Sequence, residues 1–438
     1  MVFRRSHIVI AVFALLALAC EREREDLLPD ITIEPDPIEQ QQPGDSTVTP
    51  TPPTPPEPPQ PSGPVIPLEM NSLPSVYINT PNKVGIRSRT TWVELATIEI
   101  KGDANKTLLQ EDSLKIRGRG NSTWWYDKKP YYFKLDHKAD LLGTGPSKKW
   151  VLLANWMDRT LLRNQVAFEA ARRTSIDWTP SGRFVELYLD NRYLGVYWLG
   201  EKIEVEKSRV QADYLYSFDT SEPEEAHFTS YGTFSANGNY WGVPVEVKYP
   251  DSDNFEVAAY KTILSTAENT LKGMTDAISK GSLDKIDIDS FCDWYLVHEL
   301  VFNLEPNHPK SCFFHWRGGK MYAGPVWDFD WYTYIPYENW MGLKKCLWYS
   351  RLLSNATFKA RLKERWIELK PAFETLPDYV DQQADIIRAA EAGNHAMWPC
   401  DSSGVNGDET MTFQEAVDRM KEAIVNRIDI LSKQIAIL

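Results

Sequence analysis

The sequence predicts an α+β fold with two lobes, the first rich in β-strands and the second mainly helical. Residues 93–100 alternate apolar and polar side chains, as a half-buried strand does. Residues 184–199 form two apolar runs around the turn Asp190-Asn191, which predicts a β-hairpin. Beyond residue 250, apolar residues recur mainly at helical spacing. The helices predicted there cover residues 254–272, 288–302, 355–373, 379–392 and 412–433.

The other elements follow from the same two periodicities. In the first lobe we expect one helix over residues 159–174, with Asp158 as its N-cap. In the second lobe, residues 324–331 are expected to form an extended strand. The lobes are assigned to residues 68–203 and 204–438. Further strands are predicted at residues 76–78, 114–117, 128–135, 150–156, 214–247 and 311–316.

The first twenty residues are typical of an export signal. Arg4 and Arg5 precede a short apolar run, and the run ends at Ala17-Leu18-Ala19-Cys20, which is similar to a bacterial lipobox. Cleavage and acylation at Cys20 would anchor the chain in the cell envelope, in the outer membrane facing the periplasm or the cell surface. An ordinary secretory signal, cleaved nearby without lipidation, is the alternative.

Residues 21–67 are predicted to be a disordered stalk. The segment is rich in Pro, Thr, Gln and Glu, and it carries the proline pairs at 52–53, 55–56 and 58–59. Such a composition buries too little apolar surface to fold. The net charge of −13 argues against a nucleic-acid partner. Four cysteines follow Cys20, and their spacing favours none of the three pairings that four cysteines allow.

Two carboxylates stand in the aromatic run Gly324-Pro-Val-Trp-Asp-Phe-Asp-Trp331. In an extended chain Asp328 and Asp330 would point to the same face. Because two adjacent carboxylates repel each other, a cation between them is favoured, and hard oxygen donors suit Mg²⁺ or Mn²⁺. The alternative is a turn-forming Asp beside a partly exposed one.

A basic glycine-rich loop lies near the middle of the first lobe. Gly118 and Gly120 would let the backbone approach a ligand, and Arg117 and Arg119 could reach an anionic group. The next predicted strand contains lysines placed to contact phosphate. These are Lys129 and Lys134. Each basic residue could equally be an exposed surface side chain.

The ordered series of motifs resembles the CotH-type atypical protein kinases, in a Bacteroides-type lipoprotein member. The layout of glycine loop, lysine strand, helix, hairpin and acidic segment is also that of a two-lobed kinase. The matching segments are residues 115–124 (KIRGRGNSTW), 128–131 (KKPY), 150–155 (WVLLAN), 162–164 (LRN), 184–189 (FVELYL), 193–197 (YLGVY), Glu201, Glu299 with Asn303, and 324–330 (GPVWDFD).

The resemblance implies transfer of the ATP γ-phosphate to a protein with help from Mg²⁺ or Mn²⁺. It implies that Asp328 binds metal together with Asp330, and that Asn303 assists. Glu305 stands where the family usually has Asp, as a metal ligand or a base that orients the hydroxyl group. The connector at Glu201 is expected to be a hinge whose backbone meets the adenine.

Two other functions remain open. The predicted location lies outside the cytoplasm, so the chain could be a weak or inactive kinase-fold lipoprotein that binds a glycan or a protein partner. Its 16 Trp and 20 Tyr would then partly form binding surfaces, although most are expected in the core. A metal-dependent hydrolase lacks support, because no nucleophile-base set accompanies the carboxylates.

Overall fold

The structure, a computed structural model, describes residues 64–220, 226–230, 242–400 and 405–438. The predicted signal segment, the lipidation residue Cys20 and most of the predicted stalk lie outside the described residues. The predicted α+β class is confirmed, whereas the division into two kinase-like lobes stays a prediction. Across the described ranges, no helix is long and apolar enough to cross a membrane.

Seven strands form a closed barrel in the order β1-β2-β3-β4-β5-β7-β6, which is completed by parallel pairing of β6 with β1. Alternate side chains such as Ile98, Ile116 and Phe133 fill the interior and are fully buried. A closed barrel leaves no strand edge unpaired. The strands are β1 (Ser75–Asn79), β2 (Val93–Lys101), β3 (Thr107–Gly118), β4 (Tyr131–Ala139), β5 (Ser147–Leu153), β6 (Gly182–Leu189) and β7 (Arg192–Glu201).

The folded chain begins earlier than predicted. The amides of Val65 and Ile66 donate to the carbonyl oxygens of Asp140 and Leu141, and Ile66 is fully buried against the barrel core. These residues were assigned to the stalk by composition. Their apolar side chains are buried there because burial removes apolar surface from water.

One helix, α1 (Arg163–Arg172), lies between β5 and β6 and begins later than the predicted residue 159. The Asp158 carboxylate accepts from the amide of Arg163 at 2.7 Å, as an acidic residue near a helix N-terminus should. The chain between them turns at Leu161, which has a φ of +62°. The predicted helix is therefore confirmed, but its first turn is not helical.

A second sheet has the strand order β12-β11-β8-β10-β9. One face is apolar, with Tyr216, Phe218, Val245 and Val247 packed into the main core. The opposite face, which we call the polar face, carries Ser217 and Glu246 beside the apolar Leu215 and Phe313, because residues along a strand alternate between faces. The strands are β8 (Tyr214–Phe218), β9 (His227–Ser230), β10 (Val243–Tyr249), β11 (Cys312–Arg317) and β12 (Lys320–Ala323).

Helices are the other main elements of the described chain, and they include the five predicted segments. The helix α3 is buried along nearly its whole length and forms the centre of the main core. Four thiols, at Cys292, Cys312, Cys346 and Cys400, are all free. The helices are α2 (Val257–Ser279), α3 (Ile288–Leu300), α4 (Tyr349–Leu352), α5 (Ala356–Phe373), α6 (Leu376–Met397) and α7 (Phe413–Ala436).

The predicted strand at residues 324–331 is wrong. β12 ends at Ala323, and the following residues pair with no strand in the described chain. Gly324 has a φ of +108° and Asp328 a φ of +68°, so neither residue is extended, and Pro325 has no amide hydrogen to give to a ladder. We call residues 324–331 the acidic loop.

Candidate active site

A cavity of about 240 Å³ opens between the barrel, α1, the second sheet and the acidic loop. It brings together segments that are far apart in sequence. Asp328, Asp330 and Glu305 line one side, and the glycine-rich loop with Arg119 lines another. Other residues that line the cavity include Lys128, Asn155, Asn164, Ser217, Asp219, Glu246, Lys248, Lys310, Ser311, Phe313 and Trp327.

The carboxylate of Asp328 is oriented by neutral groups. Its Oδ2 accepts from the Ser311 hydroxyl at 2.9 Å, and its backbone carbonyl accepts from the Asn303 side chain at 3.3 Å. The left-handed backbone at Asp328 costs on the order of 1 kcal/mol for a residue other than glycine. Such strain is often found at functional positions, and here it directs the side chain into the cavity.

Aromatic packing fixes the acidic loop from behind. Trp327 stacks on Phe168 of α1 at 5.5 Å, and Phe329 meets the same ring edge-on at 6.2 Å. The guanidinium of Arg119 lies 5.4 Å from the Trp327 ring. The loop and the glycine-rich loop are therefore in contact through an arginine–aromatic pair.

Two asparagines hold the backbone of the acidic loop, and a third supports one of them. Asn164 accepts from the Phe329 amide at 2.8 Å and donates to Asn155 at 3.2 Å. Asn406 donates to the carbonyl oxygens of Asp330 and Met157, at 2.9 Å and 3.0 Å. These amides are buried, so each hydrogen bond fixes the position of the loop without adding charge.

Burial and mutual repulsion raise the pKa of two of the three acids, Asp330 and Glu305. Burial and the nearby Asp328 carboxylate raise the pKa of Asp330 to about 8. Glu305 is half-buried, and desolvation within the cavity, followed by repulsion from Asp328, raises its pKa well above the usual range. Lys310 opposes this rise. A cation bound here would favour the ionised forms of these carboxyl groups.

The donor set fits Mg²⁺ better than a metal held by protein alone. Over the ranges that the structure describes, no three His, Cys, Asp or Glu side chains are grouped so that they could hold a metal ion. Asp328, Asp330 and Glu305 therefore do not form a closed cluster. Mg²⁺ normally takes one or two carboxylates and completes its shell with water and substrate phosphate, so these hard oxygen donors suit it.

Among the lysines in and just before β4, the one that lines the cavity is Lys128, not Lys129 or Lys134. Its ammonium group donates to the Ala154 carbonyl and to the Asn394 side chain, both at 2.8 Å, and to the Val196 carbonyl. Burial lowers the pKa of Lys128 to about 7. With three oxygen acceptors, this side chain joins the barrel to α6.

Four predicted basic or hinge residues lie outside the cavity lining. Arg117 donates to the Arg89 carbonyl at 2.6 Å and stacks on Trp92, and Lys129 donates to the Tyr126 carbonyl. Lys134 is half-buried within β4.

Glu201 is the last residue of β7 rather than part of a connector. Its carboxylate accepts from the Thr144 hydroxyl at 2.9 Å and the Ser181 amide at 3.0 Å. The structure therefore does not bring Glu201 to the cavity.

Several residues of the site had only a weak sequence signal. Arg163 and Asn164 could have been a solvated helix face, but both are buried, and Arg163 is paired with Asp158 and Asp408. Ser217 and Glu246 lie in strands. The alternation of polar and apolar residues, as in Val243–Tyr249, was the one sequence signal that their side chains share a face away from the core.

Residues 116–431 match the family model described as CotH kinase protein, which covers most of the chain. The match includes the glycine-rich loop, α1, the second sheet and the acidic loop. No curated protein matches the chain.

Proposed function

The chain belongs to the CotH kinase family, and from this premise we propose that it transfers the γ-phosphate of ATP to a serine or threonine of a protein. The observation that carries this proposal is the cavity in which Asp328, Asp330 and Glu305 face the glycine-rich loop. Phosphoryl transfer needs little covalent chemistry from the protein. Positioning and charge stabilisation do most of the work, and the cavity provides groups for both.

Asp328 and Asp330 would hold Mg²⁺ or Mn²⁺, and Glu305 would act as the base or contact the metal through a water molecule. When bound, the metal would neutralise charge on the phosphate oxygens. The acceptor hydroxyl oxygen forms a bond to the γ-phosphorus, while the bond to the bridging oxygen of ADP breaks. The hydroxyl proton passes to a carboxylate, and Glu305 is the candidate because it lines the cavity beside Asp328.

Positive groups in the cavity wall would bind the phosphates. Arg119 and Lys310 both line the cavity. Asn303 would act by position, because it donates to the Asp328 carbonyl and accepts from the Glu305 amide at 3.0 Å. It therefore joins the two acidic segments.

The test is the melting temperature of the full-length protein with ATP and Mg²⁺. Ligand binding to the folded state raises the melting temperature, so we expect a rise that Asp328→Asn abolishes. The exposed Asp429 on α7 offers a matched control, and Asp429→Asn should retain the rise. If no nucleotide with either metal changes the melting temperature of the wild type, the proposal fails.

A second experiment follows transfer itself, with labelled ATP and Mn²⁺. Glu305→Gln removes the charge and should abolish autophosphorylation. Glu305→Asp restores the usual family residue and shortens the side chain by one methylene, and we expect it to retain or increase transfer. Equal labelling of wild type and Glu305→Gln would exclude Glu305 as base or ligand.

A glycan-binding or protein-binding lipoprotein is the second candidate, and one surface favours it. Glu338 accepts from the Tyr332 hydroxyl at 3.0 Å and from the Trp340 indole at 2.7 Å. Trp340 is 45% exposed and Tyr337 65% exposed. Pre-ordered exposed aromatic rings suit stacking on a sugar. Retardation by polysaccharide in a native gel, lost in Trp340→Ala and kept in Asp328→Asn, would support this function.

The location in the cell envelope is part of the proposal. It rests on the sequence around Cys20. Cys20→Ser should move the protein from the membrane fraction to the soluble fraction. Retention of the variant in the membrane fraction would exclude lipidation at Cys20 as the anchor.

A further inference from the structure

The polar face of the second sheet forms a wall of the cavity that the phosphate chemistry leaves unused. Glu246 of β10 pairs with Ser217 of β8, and Ser217 pairs with Phe313 of β11. All three residues line the cavity. Adjacent strands lie about 4.8 Å apart, so this row spans about 10 Å, which is comparable to the length of a nucleoside.

Two of the three residues in the row, Glu246 and Ser217, are polar, although packing alone would favour apolar side chains at enclosed positions. The neighbouring residues Val245 and Val247 turn to the opposite face and are fully buried in the core. On the cavity face, Glu246 is 6% exposed and Ser217 is 4% exposed. Enclosing a carboxylate costs free energy unless it has polar partners. Lys248 provides one at 2.5 Å, and a carboxylate can accept further hydrogen bonds.

The row lies beside the acidic centre in a defined order. Ser311 and Asp219, which line the cavity, stand two residues from Phe313 and Ser217, just beyond the ends of β11 and β8. Ser311 binds Asp328. Two residues of extended chain span at most about 6.6 Å. The row therefore begins within about the length of one ribose ring from Ser311 and Asp219. A nucleotide with its phosphates at the acids would lay its nucleoside across the row.

We propose that Glu246, Ser217 and Phe313 bind the nucleoside half of the phosphate donor. Phe313 contacts the base through its ring, and Glu246 accepts hydrogen bonds from a hydroxyl of the sugar or an amine of the base. This assignment rests on the proposed function. It gives the nucleoside contact to the second sheet and not to Glu201, which the fold holds outside the cavity lining.

Titration calorimetry of the full-length protein with two Mg²⁺ complexes separates the two halves of the site. ATP carries the nucleoside, whereas inorganic tripolyphosphate carries only the phosphates. We expect Glu246→Gln and Phe313→Leu each to weaken ATP binding about tenfold, since a hydrogen bond to a charged group or one stacked base contributes about that factor. Binding of tripolyphosphate should stay within about twofold, because these side chains do not contact phosphate.

Ser217→Leu is the second variant, and it fills the middle of the row without removing a charge. It should block ATP and spare tripolyphosphate. Glu422→Gln, an exposed position on α7, is the matched control and should change neither. Circular dichroism and the melting temperature of each variant establish that it is folded. ATP, 2′-deoxy-ATP and inosine triphosphate compared on wild type and Glu246→Gln assign the donor to the sugar or the base amine.

The outcomes separate this inference from the proposed function. If the variants bind ATP as tightly as the wild type, or lose ATP and tripolyphosphate equally, the row is not a nucleoside site although the phosphate site stands. If 2′-deoxy-ATP and inosine triphosphate both bind the wild type like ATP, Glu246 does not read the nucleoside. If the wild type binds neither ATP nor tripolyphosphate, the proposed function fails and this inference fails with it.

Discussion

Glu299 and Glu305 lie close in sequence at the end of α3, yet their surroundings are opposite. Glu299 is buried, and it accepts from Arg427 at 2.9 Å and from the amides of Gly342 and Leu343 at 3.0 Å and 2.7 Å. Glu305 faces Asp328 and the other acids of the cavity. The protein neutralises the first carboxylate by itself and leaves the second with an excess of negative neighbours.

The difference teaches which acids serve stability and which serve a ligand. Removing one partner of a buried ion pair is strongly destabilising, because the remaining charge loses its compensation. A cluster of like charges destabilises the fold until an external cation binds, and such groups are concentrated at functional sites. The four predictions below test this difference from its largest expected effect to its smallest.

The largest effect is expected at the paired carboxylate. Arg427→Met should lower the free energy of unfolding by about 3–5 kcal/mol, since Glu299 would stay buried without its cation. Urea denaturation of the full-length protein measures this loss. The double variant Arg427→Met/Glu299→Gln should recover part of it. Arg361→Met breaks partly exposed ion pairs with Asp289, Glu364 and Glu368, and it should cost less than Arg427→Met because solvent screens exposed pairs. Equal losses of stability in Arg427→Met and Arg361→Met would show that the buried pair contributes no more to stability than the exposed one.

The next effect has the opposite sign. Without divalent cations, Asp330→Asn should raise the free energy of unfolding by about 1–3 kcal/mol at pH 8, since it removes a repelling charge. The pKa of Asp330 is raised from 3.8 to about 8 in the fold. The folded state therefore holds a proton that the unfolded chain releases, and the wild type loses stability as pH rises between those values.

The pH dependence makes this second prediction specific. The stability gap between Asp330→Asn and wild type should widen from pH 5 to pH 8, by at most about 1.4 kcal/mol per pH unit. Urea denaturation in EDTA at several pH values measures it. Asp429→Asn, at an exposed site on α7, should show no such widening. A gap that stays constant with pH would show that Asp330 does not carry the repulsion.

A smaller effect is expected at the neutral donor that orients the metal-site acid. Ser311→Ala removes the hydroxyl that donates to Asp328 at 2.9 Å. We expect a loss of about 1 kcal/mol in stability and a loss of a few-fold in the affinity for Mg²⁺ with ATP. Ser354→Ala, which removes an exposed hydroxyl bonded to a backbone carbonyl, should change neither by as much. If the two serine variants behave alike, Ser311 does not orient Asp328.

The sequence predicted the parts of this molecule that depend on near neighbours. Strand alternation and helical spacing located the hairpin β6–β7 and the long helices, because these signals need only adjacent residues. Closure of the barrel depends on β1 pairing with β6, whose residues are more than a hundred positions away. No local pattern encodes that pairing.

The candidate site follows the same rule. Asp328 and Asp330 were found because two acids in an aromatic run are unusual locally, whereas Glu305 was found only through the family resemblance. The predicted phosphate contacts, Lys129 and Lys134, lie outside the cavity lining, which includes Lys128 instead. Which of these lysines reaches the cavity depends on packing between distant segments, and no local pattern encodes it. The partners that fix the site, Asn394 for Lys128 and Asn406 for Asp330, come from α6 and the segment before α7. Their positions depend on the packing of the whole core.

The smallest effect is expected at His298, a third kind of buried polar group. Its ring lies 4.0 Å from Trp294 and 5.0 Å from Phe329, directly behind the acidic loop. Neither ring nitrogen has a hydrogen-bond partner in the described parts of the chain. Burial lowers the pKa of His298 to about 3, so the ring is neutral at physiological pH.

His298→Phe should therefore leave the stability unchanged or raise it by up to about 1 kcal/mol. Phenylalanine keeps the aromatic contacts and removes polar atoms that make no hydrogen bond. Urea denaturation measures the change, and the melting-temperature rise with ATP and Mg²⁺ should persist because the ring contacts only the back of the loop. A loss of more than about 2 kcal/mol would show that His298 has a polar partner. It would then belong with Glu299 among the groups that the fold satisfies itself.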